Sequence, residues 1–420
     1  MLQPITLLPG VTLRCYTDHR FKQGCLSLQL VRPMKKEEAA LNALLPAVLL
    51  RGCEGCADMR QITLRLDDLY GAGMGALVRR IGDYQTTGIS CSFIEDRYAF
   101  PGDQVFAPMA EFLYRLLRQP CTEQGVFVKE YVEGEKKNLL AAIDSQKNDK
   151  RLHAANRLRQ LMCADDSFGV PRLGDREQVA SITPEQLWTH YQKVLRDSPV
   201  ELFYVGSREP AQVAEVLTPL FQGLDRQPVT LPPQKPLNAS APGTFSEEME
   251  VSQGKLAMGF TTNINNQHGL FVPMQVLMLI FGGSTGKLFN VIREKMSLCY
   301  DIGATYYGSK GFMTVAAGID FDKETAVRQE VLNQLQQCCR GAFTEAEFSN
   351  AKVSLISQLQ AAHDSPGAIE GYYSNAALSG HGFTVQEYIC RVEQVTVSQV
   401  LEAAKSLQLN TVFFLKGVQA

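Results

Sequence analysis

No histidine in this sequence has a second histidine four or five residues away, so the helical pair from which many zinc sites are built is absent. The six that occur, His19, His153, His190, His268, His363 and His381, read as ordinary surface or core residues. Charge excess is lacking too. With 41 Lys and Arg against 44 Asp and Glu, and a formal net charge of -3, no global field draws the chain to nucleic acid or to anionic lipid. The most apolar runs, residues 43–50 and 276–281, fall far short of the ~20 residues that cross a bilayer, and Pro46 interrupts the first. Residues 1–10 have no basic leader and are broken by Pro4 and Pro9, so they do not read as a secretory signal. These absences predict a cytoplasmic protein with no membrane segment and no nucleic-acid partner. Eleven cysteines, an odd number without framework spacing, suit a reducing compartment.

What is present is a chain of 420 residues, 45% hydrophobic, long enough for two or three domains with large cores. It repeats itself. Gln23-Gly24-Cys25-Leu26 recurs as Gln253-Gly254-Lys255-Leu256, and each opens an alternating run (Leu26, Leu28, Leu30; Leu256, Met258, Phe260) of the kind a half-buried strand needs. The same offset carries Gly52 onto Gly282 and Tyr70 onto Tyr300. Further on, apolar residues three and four apart (Phe106, Met109, Phe112, Leu113, Leu116, Leu117) are answered by Val327, Val331, Leu332, Leu335 and Cys338, two one-sided helices. Ala141-Ala142-Ile143-Asp144-Ser145 then recurs as Ala361-Ala362-His363-Asp364-Ser365, at a shorter offset. Thr183-Pro184-Glu185-Gln186 and Thr396-Val397-Ser398-Gln399 each form a capping box opening a helix, followed by β-rich runs at 200–205 and 411–415. Four matches in one order predict a duplicated α+β unit. Residues 226–243 contain Pro228, Pro232, Pro233, Pro236 and Pro242 and read as a stiff linker between a first half, 1–225, and a second, 244–420.

Few residues suggest chemistry. Cys53-Glu54-Gly55-Cys56 has knuckle spacing, but no second such pair completes a tetrahedral site, so a loop with two free thiols is expected. Residues 281–288 resemble a phosphate loop, yet Phe281 and Leu288 stand where that loop needs Gly and Ser or Thr. A glycine turn before a helix suffices. The Lys- and Arg-rich stretch 147–159 reads as a solvated helix face. Arg293 and Tyr300 lie seven residues apart, and two helical turns would put them on one side, where a guanidinium and a phenol can both donate to a peptide carbonyl or developing oxyanion.

Gly282-Gly283-Ser284, then Leu288-Phe289 and the run Val291-Ile292-Arg293-Glu294-Lys295-Met296-Ser297-Leu298-Cys299-Tyr300, resemble the C-terminal arginine/tyrosine motif of the pitrilysin/insulinase zinc metallopeptidases. The resemblance covers essentially the whole chain. It implies an α+β, LuxS-like metallopeptidase fold of two tandem homologous halves, each a mainly antiparallel sheet covered by helices. Members that cleave peptides carry His-x-x-Glu-His in the first half, just before a basic-Gly segment. Here the corresponding stretch is Ala43-Leu44-Leu45-Pro46-Ala47, then Val48-Leu49-Leu50-Arg51-Gly52, so Ala43, Pro46 and Ala47 fill the ligand and base positions. A further Glu ligand is expected near Lys137. Neither alanine nor proline offers a side-chain donor to a metal or a proton.

The resemblance thus implies an inactive peptidase homologue that holds no metal or other cofactor of its own. It would pair with a zinc-bearing homologous subunit and lend Arg293 and Tyr300 to a peptide or protein substrate. Within the family it is most similar to bacterial proteins associated with 5-aminopentanol modification of elongation factor P. A purely structural or binding subunit, as in respiratory complexes of the same superfamily, is the alternative. Independent hydrolysis through a different metal site is a third.

Overall fold

The computed structural model describes residues 2–418. Strands β1 (Ile5–Leu8), β2 (Val11–Thr17) and β3 (Gln23–Pro33) lead to helices α1 (Lys36–Leu49) and α2 (Met59–Asp68), strands β4 (Gly73–Ile81) and β5 (Tyr84–Ile94), and helix α3 (Phe106–Arg118). A small hairpin of β6 (Thr122–Glu123) and β7 (Val126–Phe127) precedes α4 (Lys129–Asn148), α5 (Lys150–Met162), α6 (Arg176–Ser181), α7 (Pro184–Asp197), β8 (Val200–Gly206) and α8 (Pro210–Phe221). Residues 224–242 hold no regular structure. There follow β9 (Gly243–Met249), β10 (Gly254–Thr261), α9 (Phe271–Gly282), a π-helical segment Leu288–Lys295, β11 (Asp301–Tyr307) and β12 (Phe312–Ile319). The chain closes with α10 (Glu324–Cys339), α11 (Glu345–Ala361), α12 (Pro366–Ser379), α13 (Val385–Gln394), α14 (Val397–Lys405) and β13 (Gln408–Gly417).

The protein is α+β, with two sheets of matching plan. The first runs β1-β2-β8-β3-β5-β4 and the second β9-β13-β10-β12-β11. In each, one parallel pair (β2 with β8, β9 with β13) is followed by three antiparallel ones. Leu26, Leu28 and Leu30, and likewise Leu256, Met258 and Phe260, lie wholly inside, but the expectation of half-buried strands is corrected: Cys25, Ser27, Gln29 and Val31 of β3 and Ala257 of β10 are buried as well, because both faces of these strands are covered. Both capping boxes form: Thr183 and Thr396 each accept from the backbone N–H three residues on, while Gln186 and Gln399 reach back. The apolar stripe of α3 (Phe106, Met109, Phe112, Leu113, Leu116, Leu117) is buried, as are Val327, Val331, Leu335 and Cys338 of α10.

The compact units cut across sequence order. One comprises the chain up to Ile143 together with Pro171–Pro233 and Ala362–Leu378; the other comprises Asp144–Val170, Gln234–Ala361 and the chain from Ser379. Two of the crossings, between Ile143 and Asp144 and between Ala361 and Ala362, fall inside the two recurring Ala-Ala-x-Asp-Ser segments. So α5, from the first half, covers the second sheet, and α12, from the second half, covers the first. This corrects the reading of residues 147–159 as a merely solvated face. Ala154, Leu158 and Met162, four apart, form an apolar strip within the charged run; the first two pack with Ala257, Phe413 and Leu415.

Candidate functional site

In the first unit, α1 is set by burial on nearly every side: Ala39, Ala40, Ala43, Leu44, Leu45, Val48 and Leu49 are all buried. Its polar members are satisfied internally. Asn42 Oδ1 accepts from His190 Nε2 at 2.8 Å, and Asn42 Nδ2 donates to Gln85 Oε1 at 2.9 Å. Burial is the main cause holding His190 neutral, with its pKa lowered to about 4. Glu38 accepts from Arg32 and Lys193, whose hydrogen bonds and charges outweigh its burial and bring its carboxyl down to about 2.

Pro46 stands inside α1 and has no N–H to give the carbonyl of Asn42, four residues back. Thr87 Oγ1 on β5 donates to that carbonyl at 2.7 Å, so the helix tolerates proline at this position. Ala43 and Pro46 are buried and Ala47 half-buried. Lys137 on α4 is exposed; the lysine turned inward is its neighbour Lys136, donating to Glu133 Oε1 (2.9 Å) and Ile182 O (2.8 Å). Nearby, Arg51 Nη1 binds Glu135 Oε1 at 3.1 Å. These residues do not fit zinc: Ala43, Pro46 and Ala47 offer no ligand atom, and among the described residues no group of three or more His, Cys, Asp or Glu could hold a metal ion.

The thiols of Cys53 and Cys56 sit in a turn closed by two backbone hydrogen bonds, 2.8 and 2.9 Å, with Gly55 at φ 80°. Both are free and buried, and burial pushes Cys53 up to about 12. A thiol so hard to ionise is inert. The glycine turn before Leu288 closes through Gly286 N to Gly283 O at 2.9 Å, and Lys287 Nζ lies 3.7 Å from Glu347. A cleft of about 600 Å³ in the first unit is lined by Lys129, Glu133, Lys136 and Glu185 among others. The first turn of α7 beside it is occupied by its own capping box.

In the second unit the arginine and tyrosine do not share a helix face, which corrects the two-turn expectation. The segment from Leu288 ends at Lys295; it is π-helical, with Met296 N bonded to Val291 O at 2.9 Å, and Ser297 turns the chain at φ 50°. Leu288 and Ile292 anchor it in the core. Arg293 projects outward, its guanidinium 4.6 Å from the Phe289 ring centroid and 3.7 Å from Glu294. Tyr300 lies beyond the turn at the mouth of β11, clamped by its N–H to Gly318 O at 2.8 Å, and 59% exposed. Its hydroxyl donates to Asp320 Oδ1 at 2.9 Å. That hydrogen bond, then the Asp320 charge, raises the phenol pKa. Asp320, Thr87 and the His190–Asn42 pair went unread in the sequence, because no local pattern joins residues so far apart.

Residues 181–355 match the peptidase M16 inactive domain. The chain is 26% identical over 411 residues to the probable inactive metalloprotease YmfF of Bacillus subtilis (strain 168), covering 98% of this chain and 96% of that protein. Among solved structures, a conserved protein from Enterococcus faecalis V583 gives a TM-score of 0.91 at 27% identity, over 100% of this chain and 99% of that one. A peptidase M16 inactive domain from Pseudomonas fluorescens shares the fold, with a TM-score of 0.83 at 16% identity over 100% and 98% of the two chains. Along its whole length the chain is thus similar to a probable inactive metalloprotease, and residues 181–355 match the peptidase M16 inactive domain.

Proposed function

We propose that this chain is the zinc-free subunit of a heterodimeric M16-type peptidase, placing Arg293 and Tyr300 against a peptide held at the zinc of a homologous partner. One contrast carries the reading. Ala43, Pro46 and Ala47, read as the lost zinc positions, offer no ligand atom in the first unit, whereas Arg293 and Tyr300 stand exposed in the second; a peptide carbonyl can take the guanidinium N–H groups, and the phenol proton once it leaves Asp320. A sheet edge supports a peptide ligand: among the described residues β11 pairs only with β12, and an extended chain can add to such an edge.

The two halves are read as descendants of one duplicated unit, with sequence halves 1–225 and 244–420 about a proline-rich linker. No helix among the described residues is long and apolar enough to cross a membrane. A cytoplasmic site of action follows from the sequence reading, and a place beside elongation factor P modification rests on the sequence resemblance alone.

The test is a reconstituted pair with a zinc-bearing homologue, assayed with and without a chelator. Arg293→Ala or Tyr300→Phe should each lower turnover by on the order of 10²-fold. Unchanged cleavage by both variants would leave the purely structural role in place.

A further inference from the structure

This inference rests on the proposed use of Tyr300 and concerns what keeps its proton. A neutral phenol has one proton to donate. Here that proton is committed to Asp320, and both ends of the contact are pinned. The Tyr300 backbone is bonded to Gly318, two residues before Asp320, and Asp320 caps the short turn Phe321–Lys323, its carbonyl accepting from Lys323 N at 3.1 Å. So held, the exposed side of the phenol presents oxygen lone pairs, which suit an N–H and not a carbonyl oxygen. A carboxylate in the same place also opposes any negative charge growing nearby.

We propose that Asp320 is a positioning residue that withholds the Tyr300 proton, so that Tyr300 donates to substrate only when it turns away from this carboxylate. The other charged groups on the segments that carry Tyr300 and Asp320 are Arg293, Glu294 and Lys295 on the π-helical segment, Asp301 on β11, and Asp322 and Lys323 on the turn. Of these, Arg293 leans on Phe289 and Glu294, Asp301 lies 3.8 Å from Arg151, and Lys323 lies 3.7 Å from Asp322. Asp320 alone among them receives the phenol proton.

The experiment compares Asp320→Ala, Asp320→Asn and Asp320→Glu, each with Tyr or with Phe at position 300, in the reconstituted pair. Asp320→Ala should raise kcat on the order of tenfold, the lower range for a hydrogen bond to a charged group, with little change in KM. Asn, a weaker acceptor, should fall between, and Glu should restore the wild-type rate. With Phe at 300, all four residues at 320 should give one rate. In the isolated chain, alkaline titration of tyrosine absorbance, with Tyr300→Phe as the subtraction, should show the Tyr300 midpoint fall in Asp320→Ala. If Tyr300→Phe slows cleavage but Asp320→Ala leaves or lowers kcat, this inference fails and the proposed function stands. If Tyr300→Phe has no effect on any rate, the proposed function fails. An unmoved titration midpoint in Asp320→Ala overturns the contact itself.

Discussion

Helices α5 and α12 hold the same place in the two halves, each following a long helix and preceding a shorter one, and each covers the sheet of the other half. Their seats differ in kind. Under α5 the centre of the contact is apolar, Ala154 and Leu158 meeting Ala257, Phe413 and Leu415, and Met162 meeting Phe312, while its polar pairs, His153 and Arg157 with Glu247 at 3.1 and 3.3 Å, are more exposed. Gly259 lets the helix approach, since a Cβ there would lie 2.5 Å from Met162 Sδ. Under α12, Ile369 and Tyr373 pack with Cys25, Phe203 and Val205, but the same face carries Glu370, only 2% exposed. Its carboxylate takes Ser27 Oγ at 2.6 Å, Gln29 Nε2 at 3.0 Å and a two-pronged Arg79 at 3.0 and 2.8 Å. One topology is thus served by two physics: contact area that tolerates rearrangement, and a directional cluster that fixes one position and leaves Gln29 Oε1 buried without a partner.

The largest effect should come from the apolar seat. Leu158 is fully buried, and Leu158→Ala removes its methyls where Phe413 and Leu415 cannot follow. A loss of about 4 kcal/mol is expected from urea unfolding followed by circular dichroism. A loss below about 1 kcal/mol would mean that α5 is not needed by the sheet it covers.

The polar seat should cost somewhat less and respond to chemistry rather than volume. Glu370→Ala leaves a partly buried guanidinium unpaired, and about 3 kcal/mol is expected, at the low end for a broken buried pair because Arg79 keeps some contact with water. Glu370→Gln, which preserves the shape and some of the hydrogen bonds, should cost less than half as much. Trp188, the single tryptophan, lies in the unit that α12 joins, so its fluorescence reports this loss directly. Equal costs for Ala and Gln would show that the charge of Glu370 carries the whole effect, with neither its shape nor its neutral hydrogen bonds adding to it.

This contrast also marks where the sequence was legible. The capping threonines, the alternation of β3 and β10 and the stripes of α3 and α10 are local signals, and the strand plan grew from them. The exchange of α5 and α12 was not legible, because helix periodicity shows a buried face and does not say which sheet buries it. The charged heads around Ala154 and Leu158 concealed even that face. The candidate site divides in the same way. Ala43, Pro46 and Ala47 could be placed only through family resemblance, and Thr87, which makes Pro46 tolerable, lies on another element. Arg293 and Tyr300 were singled out by their spacing and by the motif they resemble. Their geometry was not, because a π-helical turn and a left-handed Ser297 carry no glycine to announce them.

The smallest expected effect sharpens the comparison at the level of whole units, since a unit that relies on buried polar groups should be the first to fail in acid. His190, beside Asn42, has a folded-state pKa of about 4 against an ordinary 6.5. The unfolded chain therefore takes up the proton first, and stability falls as pH drops from 6.5 towards 4, with no further loss from this group below that. Glu38, depressed from 4.5 to about 2, adds a second loss that starts near pH 4.5 and is complete below about 2. Between pH 7 and 4.5 the His190 share should amount to roughly 2–3 kcal/mol. Urea midpoints of Trp188 fluorescence measured along that range should fall steadily in the wild type and much less in His190→Gln, whose amide can still donate to Asn42 Oδ1. An equal slope in the two proteins would remove His190 as the cause and shift the acid sensitivity of this unit to its carboxylates.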